Sequence, residues 1–295
     1  MNIKHLFHSK KLIYSLEVFP PKKTSSVDTI YNTLLGLRGL PADFISVTYG
    51  AGGSDTQKNK TCEIASLIKS EYGIEPVVHL TCVNSSKAEI IQTLEQLKAH
   101  RIENILALRG DINPDIKPKH DFQHASDLVT FIKEYDSSFH VSGACYPEGH
   151  CDSNSLEEDI EHLKIKVDAG ATHLMTQLFF DNDHFYQFMD KVIQAGITVP
   201  IEAGIMPITS KSQIERTVSM CGASLPPKFA KIINKYANNP AALKEAGIAY
   251  AIEQIIDLIS NQVAGIHLYT MNNVEVATKI TDSIRNIILS CNQPN

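Results

Sequence analysis

The sequence predicts a closed barrel of eight parallel β-strands wrapped by helices, and two observations predict it. First, eight short apolar, β-rich runs alternate with longer segments of helical period along the 295 residues. Alternation of strand and helix implies a parallel sheet, and eight repeats favour closure into a barrel. Second, several runs carry polar residues at every other position. Side chains alternate across a strand, so such runs have one hydrocarbon face and one polar face. The hydrocarbon faces would pack on the helices, which turns the polar faces into the barrel.

Taken in order, the first run is 13–19, with Tyr14, Leu16 and Val18 on one face and Ser15 and Glu17 on the other. Asp28 is a candidate N-cap for the helix that follows. The second run, 44–49, sets Ser46 and Thr48 against Ile45 and Val47, and Gly73 marks the end of the next helix. In the third, 77–82, His79 and Thr81 oppose Val78 and Leu80, and Ser86 is the cap of the helix after it. The fourth and fifth runs are 104–109 and 140–145. Between the fifth and sixth, Leu156, Ile160, Leu163 and Val167 recur at helical spacing and define one buried face. The sixth run is 173–179, followed by a helix that stops at Gly196, and the seventh is 200–205. Residues 206–264 are too long for one helix and hold about three helical segments, an elaboration of the barrel. The last of these carries Ile252, Ile255, Ile256 and Ile259 on one face. The eighth run, 265–270, sets His267 and Tyr269 against Ile266 and Leu268. No linker-like tract interrupts the series, so residues 1–295 are read as one barrel domain.

Composition narrows the functional classes. Hydrophobic residues at 43% and charged residues at 20% suit a globular chain with a sizeable core. A net charge of -6 without a lysine or arginine run argues against nucleic acid or an anionic membrane as main partner. The N-terminus lacks the apolar core of a signal peptide, and no stretch approaches the ~20 apolar residues of a membrane span. The six cysteines, at 62, 82, 145, 151, 221 and 291, form no CxxC and are read as reduced thiols of a cytoplasmic protein.

Polar groups gathered at the C-terminal ends of barrel strands are where such folds place active sites. Glu17, in Ser15-Leu16-Glu17-Val18-Phe19-Pro20-Pro21, sits among apolar neighbours. Desolvation should raise its pKa and suit it to general-acid work, unless an arginine or lysine pairs with it. Leu108-Arg109-Gly110-Asp111 closes the fourth strand. Gly110 would let backbone approach a ligand, and Asp111 would accept hydrogen bonds from a heterocycle or simply start a turn. Gln177 can donate and accept at once, which suits an amide-like ring edge, whereas Phe179 and Phe180 read as core. The glycine-rich loop Thr48-Tyr49-Gly50-Ala51-Gly52-Gly53-Ser54 matches neither the dinucleotide nor the phosphate-loop pattern. Cys145-Tyr146-Pro147-Glu148-Gly149-His150-Cys151 has no standard zinc spacing, and no resident metal is expected.

In order, these pieces are specific. Glu17-Val18-Phe19-Pro20-Pro21, Ser46-Val47-Thr48-Tyr49-Gly50-Ala51, His79-Leu80-Thr81-Cys82, Ala107-Leu108-Arg109-Gly110-Asp111, Ala125-Ser126-Asp127-Leu128, Tyr146-Pro147-Glu148, Lys166-Val167-Asp168-Ala169-Gly170-Ala171, Thr176-Gln177 with Phe179-Phe180-Asp181, and Tyr269-Thr270-Met271-Asn272 span roughly residues 13 to 285. With them the chain resembles the methylenetetrahydrofolate reductases of the short bacterial type. The resemblance implies an eight-stranded barrel holding FAD, with NADH or NADPH as co-substrate. The reaction implied is ping-pong reduction of 5,10-methylenetetrahydrofolate to 5-methyltetrahydrofolate, in one-carbon and methionine metabolism. It implies Glu17 as general acid, Asp111 beside flavin and pterin, and Gln177, Thr48 and Tyr269 at the folate. FAD contacts are implied at Thr48, His79, Leu108, Arg109, Gly110, Asp111, Ala125, Ala144, Tyr146, Asp159, His162 and Lys166, with Lys166 near the phosphates.

The chain departs from the family pattern at four positions. Lys211 stands where an aromatic lid residue is usual, and Asn273 where an arginine is usual. Lys211 could instead supply the cation for the folate's glutamate tail. His162 and Ile165 replace other polar or basic residues. Family members are usually homo-oligomers, and neither a regulatory domain nor feedback by S-adenosylmethionine is expected here. Two rival readings remain at this stage. One is a metal-dependent barrel hydrolase built on His79, His150 and Asp111; the other is a flavin-binding subunit that needs a partner.

Overall fold

Eight parallel strands close on themselves in chain order. They are β1 (Ile13–Val18), β2 (Phe44–Val47), β3 (Glu75–Thr81), β4 (Asn104–Leu108), β5 (His140–Cys145), β6 (His173–Thr176), β7 (Ile201–Ile205) and β8 (Gly265–Tyr269). The ring closes through β1 and β8, where Ser15 lies opposite His267 and Glu17 opposite Tyr269. This computed structural model describes residues 1–21, 28–49, 55–112 and 119–293, without the side chains of residues 28, 55–59 and 220. The loop segment 50–54, singled out above for its glycines, lies outside the described residues, as does the side chain of Asp28.

Around the barrel lie α2 (Asp28–Leu37), α3 (Asp55–Tyr72), α4 (Lys87–Ala99), α5 (Ala125–Tyr135), α6 (Leu156–Asp168), α7 (Asn182–Gln194) and α11 (Val274–Cys291). The long connection after β7 holds the expected three helices: α8 (Lys211–Cys221), α9 (Pro227–Tyr236) and α10 (Pro240–Ser260). A short helix, α1 (Lys4–Ser9), precedes the barrel. Phe7 of α1 lies 4.5 Å, ring to ring, from the buried His173, which places α1 against the N-terminal end of the strands.

Local signals behave as their chemistry requires. Ser86 accepts from the Glu89 backbone N–H at 3.3 Å, while the Glu89 carboxylate accepts from that of Ser86 at 2.7 Å, a reciprocal cap for α4. Gly73 and Gly196 follow α3 and α7 with φ of 65° and 74°, conformations that other residues adopt only at a cost. Ile160 and Leu163 of α6 are buried, with Leu156 and Val167 packed beside them. The isoleucine face on α10 is narrower than expected. Ile255 and Ile259 are buried, but Ile256 is 37% exposed. Four isoleucines within eight residues span more of a helix than one barrel contact covers.

The core lies in two layers. Between strands and helices, Tyr14, Leu16, Val18, Ile45, Val47, Val78 and Leu80 belong to the main buried cluster, so the hydrocarbon faces do pack outward. Inside the barrel, Ile3, Ile13, Phe44, Val77, Leu106 and Met175 form a second cluster, with Phe7 packed against it. Several strands stop one to three residues short of their sequence runs, because the alternating pattern continues into the loop that leaves the barrel. Those extra residues, Thr48 and Arg109 among them, are where the site begins.

Candidate active site

The polar faces converge as alternation requires. Glu17, the last inward-facing residue of β1, is met by side chains from three other strands. Ser46 of β2 donates to Glu17 Oε2 at 3.4 Å, and His267 Nε2 of β8 lies 3.5 Å from the same oxygen. His79 Nε2 of β3 lies 3.4 Å from it, yet makes no aligned hydrogen bond among the described residues. No arginine or lysine pairs with Glu17 among the described residues; histidines take that place.

This arrangement corrects the expectation of a raised Glu17 pKa. Burial does push the carboxyl up, but the His267 hydrogen bond, the charges of His79 and His267 and the Ser46 hydroxyl together hold it below the ordinary value. Burial lowers His79 to about 4, a shift only partly opposed by Glu17, so its ring is neutral near pH 7 and its charge acts on Glu17 only at lower pH. These histidines come from β3 and β8, which is why the Glu17 segment by itself gave the wrong sign.

Above Glu17 opens a cavity of about 750 Å3, within the range usual for small-molecule sites. It is lined by Glu17, Thr48, His79, Leu108, Arg109, Gly110, Asp111, Ala144, Tyr146, Gln177 and Tyr269, all of them candidates from the sequence. Asp111 stands exposed at the rim. Gly110 has φ of 85°, and a Cβ there would come within 2.9 Å of Thr81 Cβ, so the strand end can turn only with glycine. Arg109 reaches Asp152 with an N–O distance of 2.7 Å, which ties β4 to the loop after β5. Gln177 Oε1 accepts from the Leu178 backbone N–H at 2.9 Å. Tyr269 donates its hydroxyl to the Thr176 carbonyl at 2.7 Å, and burial keeps that phenol protonated.

Five candidates lie outside this cavity lining. Ala125 begins α5, partly buried. Asp159 and Lys166 sit on α6; burial raises the Asp159 carboxyl and lowers the Lys166 ammonium, each charge partly offsetting the other's shift. Lys166 lays its stem over Gly143, where a Cβ would meet Lys166 Cδ at 2.6 Å, and donates to the Ala144 carbonyl at 2.6 Å. His162 is exposed on α6. Lys211 is exposed at the start of α8, 3.8 Å from Glu215. Asn273, the other departure from pattern, caps α11 by accepting from the Val276 backbone N–H at 3.2 Å.

Sequence reasoning placed His267 inside the barrel but did not name it, Ser46 or Thr81 among the site residues; alternation on β8, β2 and β3 was the signal. For the hydrolase alternative, the ligand atoms of His79, His150 and Asp111 do not gather within 4.8 Å of one another among the described residues. The group that does is His150, Cys151 and Asp152, two of them exposed. Asp152 is already paired with Arg109, and the His150 ring packs edge-on against Tyr146 at 4.6 Å.

Residues 2–285 match the family model for methylenetetrahydrofolate reductase. The chain belongs to the methylenetetrahydrofolate reductase family. It is 34% identical over 271 residues to the 5,10-methylenetetrahydrofolate reductase of Escherichia coli, covering 92% of this chain and 90% of that one. It is 36% identical over 277 residues to methylenetetrahydrofolate reductase 1 of Schizosaccharomyces pombe, covering 92% of this chain and 45% of that one. The match to the Arabidopsis thaliana methylenetetrahydrofolate reductase (NADH) 1 is 34% over 284 residues and covers 48% of that protein. The chain thus spans about half the length of these two eukaryotic family members. Among solved structures, an uncharacterized Clostridium thermocellum protein described as binding two copies of 5-methyl-5,6,7,8-tetrahydrofolic acid shares the fold. Its TM-score is 0.66 at 14% identity, covering 97% of this chain and all of that one. No described helix is long and apolar enough to cross a membrane.

Proposed function

We propose that this chain reduces 5,10-methylenetetrahydrofolate to 5-methyltetrahydrofolate with NADH or NADPH as hydride donor and FAD as the carrier between them. The observation that carries this reading is the cavity: the half-buried Glu17 carboxylate at its base, Asp111 at its rim and Gln177 in its wall. The site fits a flavin on chemical grounds. Among the described residues the His79 Nε2 lacks an aligned partner, and a heterocycle edge would supply one. Thr48, His79 and the 108–111 segment would hold the ring system, with Ala144 and Tyr146 beside it. Asp159, Lys166 and the neighbouring α5 and α6 positions would hold the remainder of the cofactor.

When bound, FAD would supply hydride transfer between nicotinamide and folate, so the two substrates would use the site in turn, with ping-pong kinetics. The chain's own groups handle the proton and the charge. Glu17 delivers a proton to the folate nitrogen as the methylene bridge opens to a cation. Bound rings exclude water, which strengthens desolvation, the influence that favours the protonated form of Glu17. Asp111 places negative charge near the developing cation, and Gln177 hydrogen-bonds the pterin edge. Lys211 is assigned to the folate's glutamate tail. We further read the chain as a cytoplasmic homo-oligomer.

The test is anaerobic. The purified protein should be yellow, NADH should bleach it, and methylenetetrahydrofolate should restore the colour. A colourless protein, or a bleached one that folate leaves bleached, overturns the reading.

A further inference from the structure

A line of buried polar side chains runs down the barrel axis from Glu17 to the opposite end of the strands. Ser15 Oγ lies 2.6 Å from His267 Nδ1 and 2.9 Å from Glu202 Oε1. Glu202 Oε2 lies 3.0 Å from His173 Nε2, both residues being fully buried, and His173 Nδ1 lies 2.9 Å from Ser142 Oγ. The first strands' N-terminal halves and α1 cover this end, with Phe7 against His173. A carboxylate with no solvent contact, facing a strand whose Gly265 has no Cβ to spare, is a costly feature for a barrel floor.

Hydrogen-bond directions make these groups one unit. A serine hydroxyl has one proton. If Ser15 gives it to an ionised Glu202, then His267 must donate from Nδ1 to Ser15, and its Nε2 faces Glu17 Oε2. A neutral ring would set a lone pair against a carboxylate there, so one further proton must lie between His267 and Glu17. If Glu202 holds that proton instead, it donates to Ser15. Ser15 then turns its own proton toward Nδ1, and Nε2–H donates to Glu17. The two arrangements differ by one proton moved through three hydrogen bonds, with nothing else gained or lost.

We propose that Glu17 is the mouth end of a one-proton relay through His267 and Ser15, with Glu202 as its buried far end and reservoir. In one turnover, Glu202 releases its proton to Ser15, Ser15 passes its own to His267 Nδ1, and His267 passes the Nε2 proton to Glu17. Glu17 then delivers a proton to the substrate nitrogen. The emptied line takes up one proton from water once product leaves. Glu202 and Ser15 touch no substrate; they are positioning and proton-holding residues. The groups facing His267 are Glu17 and Ser15 of β1, Ser46 of β2, His79 of β3 and Tyr269 on its own strand. Those facing Glu202 are Ser15 and the His173 ring of β6, with the His140 ring of β5 stacked behind it at 6.2 Å.

The inference rests on the folate-reductase reading for its catalytic arm only. Glu202→Gln keeps the shape but has no ionisable proton, and Ser15→Ala cuts the line. In stopped-flow, both should leave flavin reduction by NADH unchanged and slow reoxidation by methylenetetrahydrofolate by about tenfold or more near neutral pH. The rate should recover as pH is lowered. A pH profile of reoxidation identical to the unsubstituted protein in both variants overturns the relay. If the unsubstituted protein itself fails to reoxidise with folate, the functional reading falls instead. The second arm needs no activity: 15N NMR of histidine-labelled protein without ligands. In the unsubstituted protein His267 should carry its proton on Nε2 with Nδ1 accepting from Ser15, and the Nδ1 resonance should move in Ser15→Ala, which removes that donor. Ring-nitrogen shifts of His267 that stay the same in folded Ser15→Ala refute the coupling whatever the kinetics.

Discussion

A Cβ on Gly204 would lie 2.8 Å from the ring of Tyr269, so the phenol of β8 rests directly on the backbone of β7. The contact lets Tyr269 turn its hydroxyl to the Thr176 carbonyl and form one wall of the cavity. In Gly204→Ala both the ring and the Thr176 backbone carbonyl beside the new methyl have to give way, because these approaches are closer than real side-chain atoms make. Overpacking of this kind costs about 1 to 3 kcal/mol, which denaturant unfolding should show. The same variant should raise KM for folate while flavin reduction by NADH stays near normal. Unchanged stability would show that the wall yields.

Glu17→Gln separates the two half-reactions. The amide keeps the shape and can still meet His267 and Ser46, but it cannot give a proton. Flavin reduction should survive and folate reduction should fall by about 10²- to 10⁴-fold, the span general-acid catalysis usually supplies. Stopped-flow of each half-reaction decides it; equal losses in both would mean that Glu17 only holds the cofactor.

The barrel was legible in the sequence because its signal is local. Alternation in residues 13–19, 44–49, 77–82 and 265–270 placed Ser15, Glu17, Ser46, His79, His267 and Tyr269 inside before any coordinates. Pairing between strands was not legible. Nothing near Glu17 in the chain says that rings from β3 and β8 meet it, so its pKa was expected on the wrong side of normal. Glu202 lies in an otherwise apolar run, Ile201-Glu202-Ala203-Gly204-Ile205, and only the closed sheet shows that it faces Ser15 and His173. Ile256 fails for the opposite reason: its period is right, but four isoleucines span a wider arc of α10 than its contact buries, and Ile256 is left 37% exposed.

Asp111→Asn tests the rim charge. A negative charge beside a flavin disfavours the electron-rich reduced form, so its removal should raise the flavin's midpoint potential, measured by spectroelectrochemistry. Reoxidation by folate should slow as well, the outcome expected of a charge that also faces the substrate cation. A midpoint that stays or drops would take Asp111 out of that role.

Lys211 offers a sharper division. Its ammonium is exposed and 3.8 Å from Glu215, a pairing across one helical turn that contributes little to stability. Lys211→Ala should therefore leave unfolding unchanged. As the glutamate-tail cation, it should raise KM for folate, more for polyglutamates than for the monoglutamate, without touching flavin reduction. Identical KM values would return it to the surface.

Buried histidines set the acid limit of stability. Burial holds His140 at about 3, with the nearby charges of His173, Lys133 and Lys4 acting in the same direction, and among the described residues neither ring nitrogen has a hydrogen-bond partner. An exposed histidine titrates near 6.5, so between about 6.5 and 3 the unfolded chain binds a proton that the folded one refuses. Stability then rises with pH across that window and falls as pH drops through it, by up to about 1.4 kcal/mol per pH unit for one such group. His79, lowered to about 4 by the same cause, adds to the slope above that value. Replacing His140 with phenylalanine removes one contribution while keeping a buried aromatic ring. Denaturant unfolding from pH 7 to pH 4 should show a shallower loss for His140→Phe than for the unsubstituted protein. Parallel curves would mean that the folded barrel accepts the His140 proton, and that the ring is not held neutral.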